Sequence, residues 1–412
     1  MLGRAFNAHS SSGFRQGEPH RSMPTAADAR ALAARRLPRL IFDFIDGGAG
    51  CETAIELNQA DLLALRLNTR VLIDIQGEDL GRSFLGRRYN LPFGIAPMGM
   101  CDLAWPGTDR CFAREASQRK FPLGVSTASS TPLEDALRLS DGHAWFQLYV
   151  TGSIETAMAF VDRAAGAGYE NLILTVDVPK LGKRPRDLRN GFETPFRIRP
   201  RQFLDFAAHP GWSIGTLMAG VPRMANFGVG PNVAGYDRKA TRAGADWDFL
   251  ARLRDRWKGG LIVKGVLSPE DSRSIRDLGA DAVYVSNHGG RQLDSAASTI
   301  SALPAIRAAV GPNYPLLFDG GVRSGEDVLK ALASGADFVM LGRPILFAMA
   351  ADGARGVSNL LDSLTADLAI ALAQVGLKRV ADVTEAILAS PPARKARVRC
   401  HSCGALQEHD HE

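Results

Sequence analysis

Short apolar runs separated by longer stretches of helical periodicity occupy the chain from residue 93 to residue 343. Eight runs stand out, at 93–97, 121–126, 144–150, 171–177, 261–265, 282–286, 315–319 and 337–342. They are continuously apolar rather than alternating, as parallel strands buried on both faces are. Between them lie helix starts. Ser268-Pro269-Glu270-Asp271 and Ser324-Gly325-Glu326-Asp327 each set a capping hydroxyl ahead of acids in the first turn, and each helix leads to Gly-Ala-Asp and a strand. That recurrence is one βα unit used twice. Eight strands with alternating helices predict an α/β fold of the (β/α)8 TIM-barrel type. An open doubly wound sheet fits less well, because its G-x-G-x-x-G turn is missing after the first strand. Upstream, Thr25-x-x-Asp28 and the Ala-rich sequence through Leu37 predict an N-terminal helical segment.

One connection breaks the rhythm. About 80 residues separate Asp177 from Leu261, far more than an ordinary βα loop needs. Residues 246–257 put Trp247, Leu250, Leu253 and Trp257 on one face and predict the barrel helix of that unit. Residues 183–243 are then an insertion after strand 4. It holds eleven Lys/Arg against four Asp/Glu, a net of +7 in a chain of net +5. Phe192, Phe196, Phe203, Phe206, Trp212, Leu217, Met218 and Phe227 are interleaved with that charge. Two readings follow, a lid that packs its aromatics inward or a segment docking on an anionic membrane surface. Nucleic acid is not expected, since no binding motif accompanies the charge.

Composition narrows the picture a little. With 412 residues, 45% apolar and 23% charged, the chain has material for one large barrel and its insertions. Five cysteines, at 51, 101, 111, 400 and 403, fit a reducing compartment rather than a disulfide scaffold. No apolar run reaches the length of a membrane span. Residues 1–22 are basic and serine-rich without the apolar core of a secretory signal, and are expected to be a disordered extension ahead of a barrel domain at 23–390. Residues 391–412 form a polar tail. Its Cys400, Cys403, His409 and His411 are zinc-ligand types at unusual spacing, and no metal site is expected there.

In such barrels chemistry gathers at the carboxyl ends of the strands. Those ends carry, in order, Pro97-Met98-Gly99, Ser126, Gln147 with Tyr149, Thr175 with Asp177, Lys264, Ser286 with His288, Asp319-Gly320-Gly321, and Gly342-Arg343. The glycines, Arg323 and Arg343 after strands 7 and 8 suit a phosphate group, which needs backbone N–H donors and positive charge. The stretch 286–294, S-N-H-G-G-R-Q-L-D, sets His288 three residues before Arg291 across two glycines. A base beside a carboxylate clamp suits chemistry at the α-carbon of an organic acid.

That turn, and the chain from about residue 37 to 388, resemble the FMN-dependent α-hydroxy acid dehydrogenases and oxidases. The resemblance implies oxidation of an L-2-hydroxy acid to the 2-oxo acid with FMN as cofactor. It implies that Pro97, Met98 and Gly99 line the flavin, and that Ser126, Gln147, Thr175, Lys264 and Ser286 bond its ring and ribityl chain. It leaves Asp319, Gly320, Gly321, Arg323, Gly342 and Arg343 at the phosphate end, and Lys264 as the cation stabilising the reduced ring. His288 would be the base, Asp177 its partner, Arg291 and Arg184 (in P-K-L-G-K-R) the carboxylate holders, and Tyr149 a polariser near the reacting oxygen. Two positions depart from the family. Phe44, in I-F-D-F-I-D-G-G-A, stands where many relatives have a substrate-binding tyrosine. Ala128, in S-T-A-S-S, stands where short-chain glycolate oxidases have a tryptophan, leaving room for a larger substrate side chain. W-F-Q-L-Y-V, the A-N-F at 225–227 and Gly99 look most like bacterial mandelate and L-lactate dehydrogenases. That likeness implies a quinone or other non-oxygen acceptor, a cytoplasmic protein peripheral to the inner face of the plasma membrane, and a homo-oligomer, commonly a tetramer. The alternatives are an oxygen-using oxidase releasing H2O2, and a non-catalytic FMN-binding protein at the membrane.

Overall fold

The computed structural model describes residues 23–193, 198–227 and 244–389, with the backbone of 397–399 and 406–408. Eight parallel strands close into a barrel: β1 (Phe93–Met98), β2 (Leu123–Ser126), β3 (Ala144–Leu148), β4 (Asn171–Thr175), β5 (Gly260–Val266), β6 (Ala282–Val285), β7 (Leu316–Phe318) and β8 (Phe338–Leu341). They follow one another in chain order, and β8 meets β1 with Val339 opposite Phe93. Each apolar run in the sequence is one of these strands, trimmed at its ends except at β1 and β5, which run slightly longer. The trimming matters for the site, because Tyr149, Asp177 and His288 fall just past the last ladder residues, on loops where side chains turn to the barrel mouth.

Two apolar layers hold the barrel. Inside it, Trp145, Ile173, Ile262, Tyr284, Leu317, Phe338 and Met340 fill the lumen. Phe84 and Tyr89 join that cluster from a short hairpin (Arg82–Phe84 with Arg87–Tyr89), stopping the amino-terminal mouth against Trp145 and Phe338. Outside it, strands and surrounding helices share one large core. The N-terminal segment folds as three helices, Ala26–Arg36, Arg39–Asp46 and Thr53–Ala64. The first is capped as expected: Thr25 Oγ1 accepts from the Asp28 amide at 3.2 Å. It packs along Arg343–Gln374. That last helix is the one described helix long and apolar enough to cross a membrane, but its backbone breaks at Asp352 and Gly353 and its apolar residues pack into the barrel core.

The helix expected at 246–257 is present as Trp247–Arg256, with Asp246 accepting from the Phe249 amide at 2.8 Å. Its buried face differs from the expectation: Phe249, Leu250, Leu253 and Trp257 are buried, whereas Trp247 is 47% exposed. Trp247 occupies the first helical position and projects beyond the barrel edge; Phe249 takes its place in the core.

The insertion contains three short helices, Pro185–Asn190, Pro200–Ala208 and Pro210–Ala219. Each begins with proline, whose missing N–H is no loss at a helix start. Its aromatics divide between the two readings. Phe192 and Trp212 are buried, with Trp212 Nε1 donating to Leu103 O at 2.9 Å, and Phe206 and Phe227 pack on the core. Phe203, Leu204, Ile214, Leu217 and Met218 are exposed. Phe196 and residues 228–243 lie outside the described residues, as do residues 1–22, Cys400, Cys403, His409 and His411. Beyond residue 390, Arg397–Arg399 pairs antiparallel with Leu406–Glu408.

Candidate active site

One cleft opens at the carboxyl ends of the strands. Phe44, Pro97, Met98, Gly99, Tyr149, Arg184, Lys264, His288, Arg291, Asp319, Gly320, Gly321, Arg323, Gly342 and Arg343 all line it. Ser126, Gln147, Thr175, Asp177 and Ser286 stand beside them: Ser126 bonds Gln147 and the Ala128 amide, Thr175 pairs with Lys264 in the strand register, Ser286 bonds Lys264, and Asp177 bonds His288.

His288 sits at the centre. Its Nδ1 lies 3.0 and 3.2 Å from the two carboxylate oxygens of Asp177, and its Nε2 lies 3.3 Å from the Tyr149 hydroxyl. An Nδ1–H donated to Asp177 fixes the tautomer in which Nε2 carries the lone pair. The residue is held at φ 58, a left-handed conformation that costs energy outside glycine, and its amide donates to Ser286 Oγ at 3.0 Å. Burial pushes the imidazole below its ordinary value, against the pull of Asp177. For Asp177, burial alone would raise the carboxyl, but the charge and hydrogen bond of His288, with the charge of Lys264, hold it below the usual range. The imidazole is therefore neutral and the carboxylate charged at neutral pH. Gly265 lets them meet: a Cβ there would sit 2.5 Å from the Asp177 carboxyl carbon.

Lys264 lies in the last half of β5, a buried ammonium. It donates to Ser286 Oγ at 2.7 Å and lies 3.2 Å from Asp319, which also accepts from Ser286 Oγ at 2.6 Å. A buried charge is tolerated because each member of this trio satisfies the others.

The arginines are placed differently from one another. Arg291 spends Nη1 on the carbonyls of Phe44 and Gly47, both at 2.8 Å, and lies 5.2 Å above the Phe44 ring. Phe44 in turn stacks flat on Phe192 of the insertion, centroids 4.3 Å apart. Arg184 lies 3.6 Å from Asp187. Arg343 donates to the carbonyls of Ile45, Gly289 and Gly47 at 2.7–3.1 Å, and Arg323 to that of Val322 at 2.8 Å. Among the described residues neither Arg323 nor Arg343 has a carboxylate within salt-bridge distance. Burial lowers both guanidinium groups to about 10.

Several contacts were illegible in the sequence, although Asn226 itself falls in the A-N-F stretch singled out there. Asn226, fully buried near the end of the insertion, gives Nδ2 to the carbonyls of Ser126 and Thr127 at 3.4 and 3.3 Å and takes the Leu133 amide on Oδ1 at 2.9 Å. Asp109 accepts from Ser129 Oγ and the Ser130 amide, fixing the same loop, and burial raises its carboxyl to about 6. Asn58 and Asn287 exchange amide hydrogen bonds at 2.8 and 2.9 Å, tying the turn bearing His288 to the third N-terminal helix. At the insertion's start, Arg186 bonds Asp46 at 2.8 Å and also pairs with Glu52. The glycines after β7 serve this packing too: a Cβ on Gly321 would lie 2.1 Å from the Asn58 carbonyl oxygen.

The donor set fits a flavin mononucleotide. Gln147 Nε2 and Thr175 Oγ1 are buried polar atoms without a hydrogen-bond partner, at the ends of neighbouring strands, where a polar ring edge would satisfy them. Two half-buried guanidinium groups and the turns after β7 and β8 suit a phosphate. The comparisons agree. The pattern of the family described as FMN-dependent dehydrogenase matches residues 33–390. The chain is 40% identical to (S)-mandelate dehydrogenase of Pseudomonas putida over 355 residues, covering 85% of this chain and 89% of that protein. It is 39% identical to L-lactate dehydrogenase of Caulobacter vibrioides (strain NA1000 / CB15N) over 373 residues, covering 89% and 97%. The crystal structure of (S)-mandelate dehydrogenase, named there a monotopic membrane protein, superposes with a TM-score of 0.85 at 38% identity over 90% of this chain and all of that one. A mandelate oxidase structure superposes with a TM-score of 0.75 at 35% identity, covering 88% and 97%. With its eight-stranded barrel and a cleft that suits the cofactor, the chain belongs to the FMN-dependent α-hydroxy acid dehydrogenase family, and FMN is its cofactor.

Proposed function

We propose that the protein oxidises an L-2-hydroxy acid carrying a bulky apolar side chain to the 2-oxo acid, and passes the electrons to a quinone or another acceptor at a membrane rather than to oxygen. The observation carrying this reading is the neutral His288, with Asp177 on one nitrogen, Tyr149 on the other, and Arg291 and Arg184 in the same cleft. His288 Nε2 takes the hydroxyl proton; Asp177 stabilises the imidazolium that results. Arg291 and Arg184 hold the substrate carboxylate, and the Tyr149 hydroxyl orients the substrate oxygen toward His288. Bound FMN supplies the two-electron acceptor for the α-carbon. Lys264 contributes the positive charge at the cofactor, Gln147, Thr175, Ser126 and Ser286 its polar contacts, and Arg323, Arg343 and the glycines of β7 and β8 the phosphate site.

The substrate side chain follows from the apolar part of the cleft. Phe44, Ala128, Val178, Leu181, Phe192 and Met224 leave a wall without hydroxyls. Phe44 stacked on Phe192 is a flat apolar face, and Ala128 leaves space beside it. Such a wall accepts an aryl or branched group and offers nothing to a small polar one.

The membrane reading rests on the exposed residues of Pro200–Ala208 and Pro210–Ala219: Phe203, Leu204, Ile214, Leu217 and Met218, with Arg199, Arg201 and Arg223 beside them. Exposed apolar side chains on two successive helices, with exposed arginines in and next to them in sequence, suit an anionic bilayer surface. The likeness to mandelate oxidase favours a second reading, an oxidase using the same residues. One experiment addresses both. Purified protein is mixed anaerobically with L-mandelate, L-lactate and a branched L-2-hydroxy acid while flavin absorbance is followed. Rapid bleaching by the aryl or branched acid, with slow return in air and fast return with a soluble quinone, is expected. Fast return in air with stoichiometric H2O2 makes the protein an oxidase, and no bleaching by any acid defeats the reaction assigned.

A further inference from the structure

The lumen position beside Lys264 is filled by an unexpected side chain. Barrel interiors are built mainly from branched aliphatic residues. In β6 the residue directly opposite Lys264 in the strand register is Tyr284, so both side chains project into the lumen. Tyr284 is fully buried, and its hydroxyl is one of the buried polar atoms with no hydrogen-bond partner among the described residues. Buried tyrosines normally place that hydroxyl on a partner. The Asp319 carboxylate acts on this hydroxyl but forms no hydrogen bond of ordinary geometry with it, so the hydroxyl alone does not account for the residue. The ring does: the Lys264 ammonium lies 4.7 Å from its centroid.

We propose that Tyr284 is a positioning residue, whose ring supports the Lys264 ammonium from below and holds that cation at the cleft floor, setting the reduction potential of the bound FMN. The ammonium has three hydrogens. Ser286 Oγ and the Asp319 carboxylate engage it from β6 and β7, and Lys264 also lines the cleft. Asp319, with which it already pairs at 3.2 Å, draws the cation toward β7. The electron-rich ring face fills the space below and attracts the cation without neutralising it. Burial, followed by the Asp319 carboxylate, pushes the Tyr284 phenol well above its ordinary value, so the ring stays uncharged and acts through its face.

The inference rests on Lys264 being the cation at the flavin, and the test separates the two. The FMN midpoint potential is measured by anaerobic dye-coupled titration in the holoenzyme, in Tyr284→Phe, Tyr284→Leu, Lys264→Met and Lys264→Met/Tyr284→Leu. The potential is expected to be unchanged in Tyr284→Phe and more negative in Tyr284→Leu and in Lys264→Met. In the double variant it should fall no further than in Lys264→Met, because the ring acts through the lysine. An unchanged potential in Tyr284→Leu, or equal shifts by that substitution in both backgrounds, overturns the proposal. An unchanged potential in Lys264→Met removes the lysine from the flavin and the proposal with it. Should Tyr284→Leu not fold, phenylalanines of increasing fluorination at position 284 keep the volume and weaken the ring face. The potential should then become more negative with each added fluorine, and the absence of a trend counts against the ring.

Discussion

The rim of the barrel and the insertion after β4 break the ordinary rule of burial in opposite ways. At the rim, charges are inside: Lys264 is 4% exposed, Asp319 8%, and Arg323 and Arg343 are half-buried. In the insertion, apolar groups are outside: Leu217 is 81% exposed and Met218 85%. Scattered exceptions of either kind are normal; clustered ones mark a function, because folding alone disfavours both. The rim's exceptions are matched by a charged cofactor and an anionic substrate. Those of the insertion fit the lipid surface proposed above. The two sets should therefore fail separately when mutated.

The largest separation is expected from His288→Ala. Turnover should fall by roughly 10²–10⁴, as loss of a general base does, while FMN content and vesicle binding stay as they are. Normal turnover in that variant would remove the base from the mechanism. Arg291→Ala should raise KM by about 10- to 100-fold, the worth of hydrogen bonds to a charged group, with a smaller change in kcat. An unaltered KM would mean that Arg291 serves only the Phe44 and Gly47 carbonyls it already bonds. On the other side of the comparison, Leu217→Asp with Met218→Asp should weaken co-sedimentation with anionic phospholipid vesicles by about tenfold or more, through lost apolar burial and added negative charge. Anaerobic bleaching by substrate should be unaffected. If the double variant still sediments, the patch is not the docking surface.

The pH profile sharpens the rim alone. The folded imidazole lies below its ordinary value of 6.5, and catalysis needs the neutral form. Activity, read as kcat/KM, should therefore persist below pH 6.5 and decline only as pH falls through the lowered value. Asp177→Asn removes the charge that opposes this shift, so the acid limb should move to still lower pH as kcat drops. A limb moving upward would contradict the pairing. The smallest effect belongs to Phe44→Tyr, which restores the hydroxyl found in many relatives while keeping the Phe192 stack; KM should change less than about tenfold.

Legibility in the sequence followed the same divide. Each strand was readable because burial on both faces gives an uninterrupted apolar run, and the caps at Thr25, Ser268 and Ser324 announced their helices. Residues that act at the end of their own strand, such as Lys264 and His288, could be found by walking along the barrel. Residues that act across long separations could not. Asn226 reaches Ser126, Asn58 reaches Asn287, and Arg186 reaches Asp46 and Glu52, and no local pattern announces such partners. Trp247 was assigned inward because its spacing matched a helical face, yet Phe249 fits that face as well; periodicity fixes a stripe only to within one position. Tyr284 read as one more apolar strand residue, and only the ring's distance from Lys264 gave it another role.

The two anchors of the insertion have a consequence for how such a chain diversifies. Arg186 plugs into Asp43, Asp46 and Glu52 at one end, and Asn226 into Ser126, Thr127 and Leu133 at the other. Both sockets belong to the barrel and its N-terminal helices. With the ends so held, the stretch between them can change in length and texture at little cost to the barrel, provided that Phe192 and Trp212 keep their packing. A lineage could exchange one surface habitat for another by rewriting that cassette, leaving the chemistry beneath it as inherited.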